Sequence, residues 1–113
     1  MTSFTHNPFY EKMVLDVPDN WRLTQYYNVP LDEMLEIMDY AIDNGYTVGW
    51  TADMSEKSWG DVATIPGMDA SEVTQQVRQI AYDNKETTDD HAMHIYGVAK
   101  DQNGIKYYMV KNS

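Results

Sequence analysis

The chain has 113 residues, 42% hydrophobic and 23% charged, the size and mix of one globular domain. Its net charge of −10, from 8 Lys and Arg against 18 Asp and Glu, argues against an electrostatic grip on nucleic acid or anionic lipid. With no cysteine, these residues carry no disulfide framework, thiolate metal site or cysteine nucleophile.

No apolar run approaches the roughly 20 residues of a membrane span. Met1 to His6 has neither the basic start nor the apolar stretch of a secretory signal. Without repeats, low-complexity tracts or a Pro/Gly/Ser-rich linker, residues 1–113 read as one unit. A chain of this length hides about two thirds of its unfolded surface, enough for a core without metal or disulfide help.

In chain order, Pro8 and Pro18 bracket a segment of aromatic and branched residues that suits extended structure, and Met13 to Val17 is predicted as a strand. From Pro30 to Asn44 the apolar residues Leu31, Met34, Leu35, Met38, Ala41 and Ile42 recur at spacings of three and four, which lines one helical face. Pro30 suits the first helical position, Asp32 and Glu33 complement the helix dipole, and Gly45 is the expected stop. Tyr46 to Trp50 reads as a buried strand.

Trp59 to Pro66 reads as irregular. A second helix follows, opened by Asp69 and Glu72 at capping-box spacing, with Val73, Val77, Ile80 and Ala81 as its apolar stripe. Gln75, Gln76 and Arg78 form its polar side, and Asp83 to Glu86 its solvated exit.

His91 to Ala99 and Ile105 to Asn112 read as strands joined through Asn103-Gly104, a strong hairpin signal. The expected fold class is α+β, an antiparallel sheet with two helices packed on it. Strand alternation puts His91, Met93, Ile95 and Gly97 on one face and Ala92, His94, Tyr96 and Val98 on the other.

Chemistry concentrates in Thr87 to His94. One reading is a polar loop entering a strand, its histidines ordinary surface or half-buried residues. A metal site of Asp89, Asp90, His91 and His94 is disfavoured, because His-x-x-His on a strand sends its rings to opposite faces. A Ser or Thr nucleophile with His91 as base lacks a nucleophile elbow. Asp32, Glu33 and Glu36 lie on the polar side of an amphipathic helix, where solvation is their ordinary role.

Asp90-His91-Ala92-Met93 leads into Tyr96-Gly97, and the hairpin is followed by Tyr107-Tyr108-Met109-Val110-Lys111-Asn112-Ser113. Together these stretches resemble the second half of a papain-like cysteine peptidase. Ser3-Phe4-Thr5-His6-Asn7-Pro8-Phe9-Tyr10, Val17-Pro18-Asp19-Asn20-Trp21, Pro30-Leu31-Asp32-Glu33, Asn44-Gly45-Tyr46-Thr47-Val48 and Thr87-Thr88-Asp89-Asp90-His91 extend the similarity from end to end. Within the family they resemble the bleomycin hydrolase and aminopeptidase C branch.

The resemblance implies a C-terminal, sheet-bearing half-domain spanning 1–113, a fragment of a larger cytoplasmic thiol protease. His91 would be the catalytic imidazole and Asn112 its orienting amide, the Cys-His-Asn arrangement of that family, with Asp90 in a tuning role. The histidine would stabilise a thiolate and later protonate the leaving amine, while Asn112 accepts from its other ring nitrogen. The parent would be an aminopeptidase acting on short peptides through an acyl-enzyme, without cofactor or metal.

The implied partners are the Cys-bearing N-terminal half, peptide substrates and further copies of the chain as a homo-oligomer; neither nucleic acid nor membrane is expected. The family's cysteine helix, its oxyanion-hole glutamine and the Trp-Gly after Asn112-Ser113 are not among these residues. The chain alone should therefore be inactive, with the His91–Asn112 pair open to solvent. An excised half should expose apolar residues that meet its partner. The alternative, a non-catalytic binding or inhibitory module of the same fold, predicts a polar, self-sufficient surface.

Hairpin register decides whether the pair can form. A two-residue turn at Asn103-Gly104 puts Asn112 opposite Ile95, about 13 Å along the strand from His91. A loop from Ala99 to Gly104 puts Asn112 directly opposite His91.

Overall fold

The computed structural model describes residues 1–54, 73–88 and 91–112. Among the described residues five strands and two helices make an α+β fold, the class the sequence predicts, but with two antiparallel sheets where one was expected and with α1, not both helices, set against the larger one. Among the described residues no helix is long and apolar enough to cross a membrane.

Strand β1 (Lys12–Val14) pairs with β2 (Gln25–Tyr27), with Met13 opposite Tyr26. The expected strand from Met13 to Val17 is thus shorter and displaced. It ends because Val17 N–H turns back to Leu15 O, and Asn20 Nδ2 donates to the same carbonyl at 2.9 Å. The partner β2 was not foreseen, since three residues carry no readable alternation.

Before β1, residues 2–4 of the N-terminal segment are buried. Ser3, Asn28 and Val29 are buried, and Thr2 exchanges backbone hydrogen bonds with Tyr27 and Val29. The Asn28 side chain accepts from Phe4 N–H at 2.9 Å and donates to the carbonyls of Phe4, Asn7 and Pro8 at 2.8–3.1 Å. Those contacts satisfy main-chain groups that the irregular segment cannot pair within itself.

Helix α1 (Leu31–Asp43) forms where the apolar spacing predicts it, and Gly45 follows its C-cap Asn44 in the left-handed region at φ +83°. Pro30 sits one position earlier than expected, at the N-cap, where it supplies no side-chain bond. Gln75 takes over that task from across the fold, its Oε1 accepting from Leu31 N–H at 2.8 Å. Of the predicted apolar face only Met38 is fully buried.

Helix α2 (Gln75–Asp83) is capped by Thr74, whose Oγ1 accepts from Val77 N–H at 3.2 Å. The expected cap at Asp69 and Glu72, and the irregular stretch from Trp59 to Pro66, lie outside the described residues. The helix packs the opposite way from its pattern. Val73, Val77 and Ile80 are exposed, Ile80 at 48%, whereas Gln79 is buried.

The polar side of α2 grips the N-terminal segment. Gln75 Oε1 accepts from Ser3 Oγ at 3.0 Å, Arg78 Nε donates to Ser3 O at 3.1 Å, and Gln79 Oε1 accepts from Thr5 N–H at 2.6 Å. The Arg78 guanidinium also lies 4.6 Å over the Phe4 ring, and burial lowers its pKa. Amide and guanidinium groups face inward because they meet unpaired backbone, which an apolar stripe could not satisfy.

Strands β3 (Val48–Ala52), β4 (His91–Lys100) and β5 (Lys106–Lys111) form the larger sheet in that order, all antiparallel. β3 begins two residues later than expected and alternates half-buried with exposed residues, so it is not the buried strand the sequence suggested. Helix α1 meets β3 and β4, and Asp39 on that helix binds Tyr108 Oη and Lys106 Nζ of β5, each at 2.6 Å.

Candidate active site

His91 opens β4, where Ala52 of β3 pairs with it, and Asn112 follows the last residue of β5. The two side chains meet. His91 Nε2 lies 2.5 Å from Asn112 Oδ1, in an exposed contact between residues 21 apart in sequence. Because an amide oxygen only accepts, Nε2 donates, and in the neutral ring Nδ1 carries the lone pair.

This meeting depends on the register between β4 and β5, which matches neither expected form. Asn103-Gly104 does not make a two-residue turn. Residues 101–105 form a wider loop, in which Asp101 Oδ1 accepts from the backbone N–H of Asn103 and Ile105, and Gly104 takes φ +80°. Lys100 then pairs with Lys106 and Val98 with Tyr108. Continued without interruption, that ladder would set Asn112 opposite His94, on the face turned away from His91.

A bulge between Ile95 and Gly97 corrects the phase. Gly97 pairs with Met109 but Ile95 pairs with Val110, so Tyr96 is an extra residue on β4. Beyond it Asn112 falls level with Met93, and His91 lies on the same face as a diagonal neighbour. Diagonal neighbours are about 7–8 Å apart, within reach of long side chains. The sequence-based assignment of Gly97 to the His91 face fails for the same reason: past Tyr96 the faces exchange, and Val98 joins His91, Met93 and Ile95.

That face is the inner one. Met93 and Ile95 are buried beside Trp50 and Val48 of β3, so the ring emerges at the edge of a packed surface. Upstream, the carboxylate of Asp53 is only 4% exposed and accepts from Thr88 N–H at 2.7 Å and Thr88 Oγ1 at 3.3 Å. Sequence reasoning missed Asp53; its only signal was an acidic residue directly after an apolar strand.

Asp89 and Asp90, the latter assigned a tuning role, lie outside the described residues. His94 is exposed on the outer face, apart from His91, and pairs with Gly49 in the ladder. Among the described residues no group of three His, Asp or Glu side chains could hold a metal ion. Glu33, expected to be solvated on the polar side of α1, accepts from Tyr10 Oη at 2.5 Å.

Chemically, the pair is an imidazole of fixed tautomer with a basic nitrogen at the protein surface, suited to exchange a proton with a group brought from outside. The chain matches no protein-family model and no curated protein.

Proposed function

We propose that this chain supplies the histidine and asparagine of a Cys-His-Asn peptidase site, as the sheet-bearing half of an aminopeptidase of the bleomycin hydrolase type. The observation that carries the reading is the hydrogen bond from His91 Nε2 to Asn112 Oδ1, which presents Nδ1 as the base. Because the chain has no cysteine, the thiol comes from a second polypeptide segment. Paired with His91 it ionises to the thiolate, attacks the first peptide carbonyl, and His91 returns the proton to the leaving amine.

Exposed apolar side chains favour a half-domain over a self-sufficient binding module. Trp21 is 76% exposed and Leu23 69%, alongside the outward stripe of α2. Apolar side chains of this size mark a partner surface where they join into one patch.

The test is hydrolysis of aminoacyl amides by the 113-residue chain, alone and after co-refolding with the Cys- and Gln-bearing half of a peptidase of this type. We expect no turnover alone, and turnover in the complex that iodoacetamide and His91→Ala abolish. Turnover by the chain alone, or a folded complex without any, overturns the reading.

A further inference from the structure

Both members of the pair stand at strand ends, His91 as the first residue of β4 and Asn112 just past β5, where backbone ladders fray most easily. A hydrogen bond between two fraying ends is maintained only if something anchors them. Asn112 continues directly from the paired residues Val110 and Lys111. His91 is paired with Ala52, the last residue of β3.

We propose that Asp53 is a positioning residue for His91, anchoring the entry to β4 through Thr88. Asp53 directly follows Ala52, the ladder partner of His91, and its carboxylate takes both the N–H and the hydroxyl of Thr88. The two residues are 35 apart in sequence, so the bond is no local turn device. Burying a carboxylate is costly unless it is hydrogen-bonded, and a strand end offers many cheaper residues. From Thr88 to His91 the chain spans three residues, at most about 10 Å. Holding Thr88 therefore confines the His91 backbone, and with it the diagonal reach of the ring to Asn112.

The catalytic meaning of this anchor rests on the peptidase reading, but its test does not. The 113-residue chain is labelled with 15N-histidine, and the shifts of the two His91 ring nitrogens are compared in wild type, Asp53→Ala and Asp53→Asn. With the ring neutral, the two wild-type shifts are widely split, since the bond to Asn112 keeps the proton on Nε2 and leaves Nδ1 without one. In Asp53→Ala we expect the split to collapse as the tautomers average, while Asp53→Asn, whose amide oxygen still accepts from Thr88 N–H, retains it.

A folded Asp53→Ala chain with the wild-type split overturns the proposal. If Asp53→Ala does not fold, Thr88→Pro takes its place, removing both the N–H and the hydroxyl that Asp53 accepts from, and an unchanged split there is equally fatal. Failure of this test leaves hydrolysis by the complemented enzyme unaffected, whereas failure of the peptidase reading leaves the ring-nitrogen shifts as expected.

Discussion

Asn28 is fully buried, and its side chain holds one N–H and three carbonyls of the segment between Phe4 and Pro8. Truncation would remove a partner from each of these groups, of which the Phe4 N–H and carbonyl contacts are buried, and each unsatisfied buried group costs about 1–3 kcal/mol. Asn28→Ala is therefore expected to destabilise the chain by about 3 kcal/mol, read as a lower urea midpoint at unchanged slope. An unshifted midpoint would show that water replaces the amide without penalty. Gln75 works on the same principle at a smaller scale, since one side-chain oxygen serves both Ser3 and the first N–H of α1.

Among the elements, the hairpin of β4 and β5 decides whether a site exists. A bulge is ordinarily disruptive, yet here the extra residue Tyr96 brings Asn112 into phase with His91. Deleting Tyr96 leaves every ladder pair on both sides intact, because Gly97 still meets Met109 and Ile95 still meets Val110. β3 pairs only with residues 91–95 and is untouched. The deletion should keep the His91–Asn112 contact and cost less than about 1 kcal/mol, a shift in Tm of no more than about 8 °C. Deleting Ala92 instead turns His91 to the outer face and should abolish the contact. NMR of the His91 ring nitrogens distinguishes the two. Loss of the contact in the Tyr96 deletion would mean that the bulge's twist, and not its count of residues, aligns the pair.

Across the whole molecule, Asp39, Lys106 and Tyr108 tie α1 to the last strand. Hydrogen bonds from Lys106 and then Tyr108 hold the Asp39 carboxyl below its ordinary value of 3.8. The bond to Asp39 raises Lys106 above 10.5, and burial, followed by the bond to Asp39, raises Tyr108 above 10.0. A depressed carboxyl stabilises the fold above its unfolded value, and the contribution fades as pH falls through the folded one. The raised groups act below their unfolded values and lose their contribution as pH climbs through the folded ones. The cluster is therefore fully effective between about pH 4 and 10. Its acid and amine side chains are 38% and 39% exposed, so screening keeps the ion pair below about 1 kcal/mol. Thermal melts of wild type and Asp39→Asn should differ slightly at neutral pH and converge toward pH of about 2–3. A gap that stays constant on acidification would place the contribution outside the carboxylate's charge.

The sequence by itself determined the α+β class, the extent of α1, its glycine stop and the two long strands, because side-chain periodicity and cap chemistry are local. It also nominated His91 and Asn112, through a resemblance carried by short motifs. Tertiary structure alone decided which face of α2 is covered: its apolar stripe points outward because the unpaired backbone of residues 3–5 lies against its glutamines and arginine. Likewise, Asp53 became visible only when the fold brought it to Thr88. The register that joins His91 to Asn112 belongs to the same class. Alternation along one strand shows which side chains share a face, but a bulge exchanges those faces, and strand pairing, a long-range contact, decides where it falls.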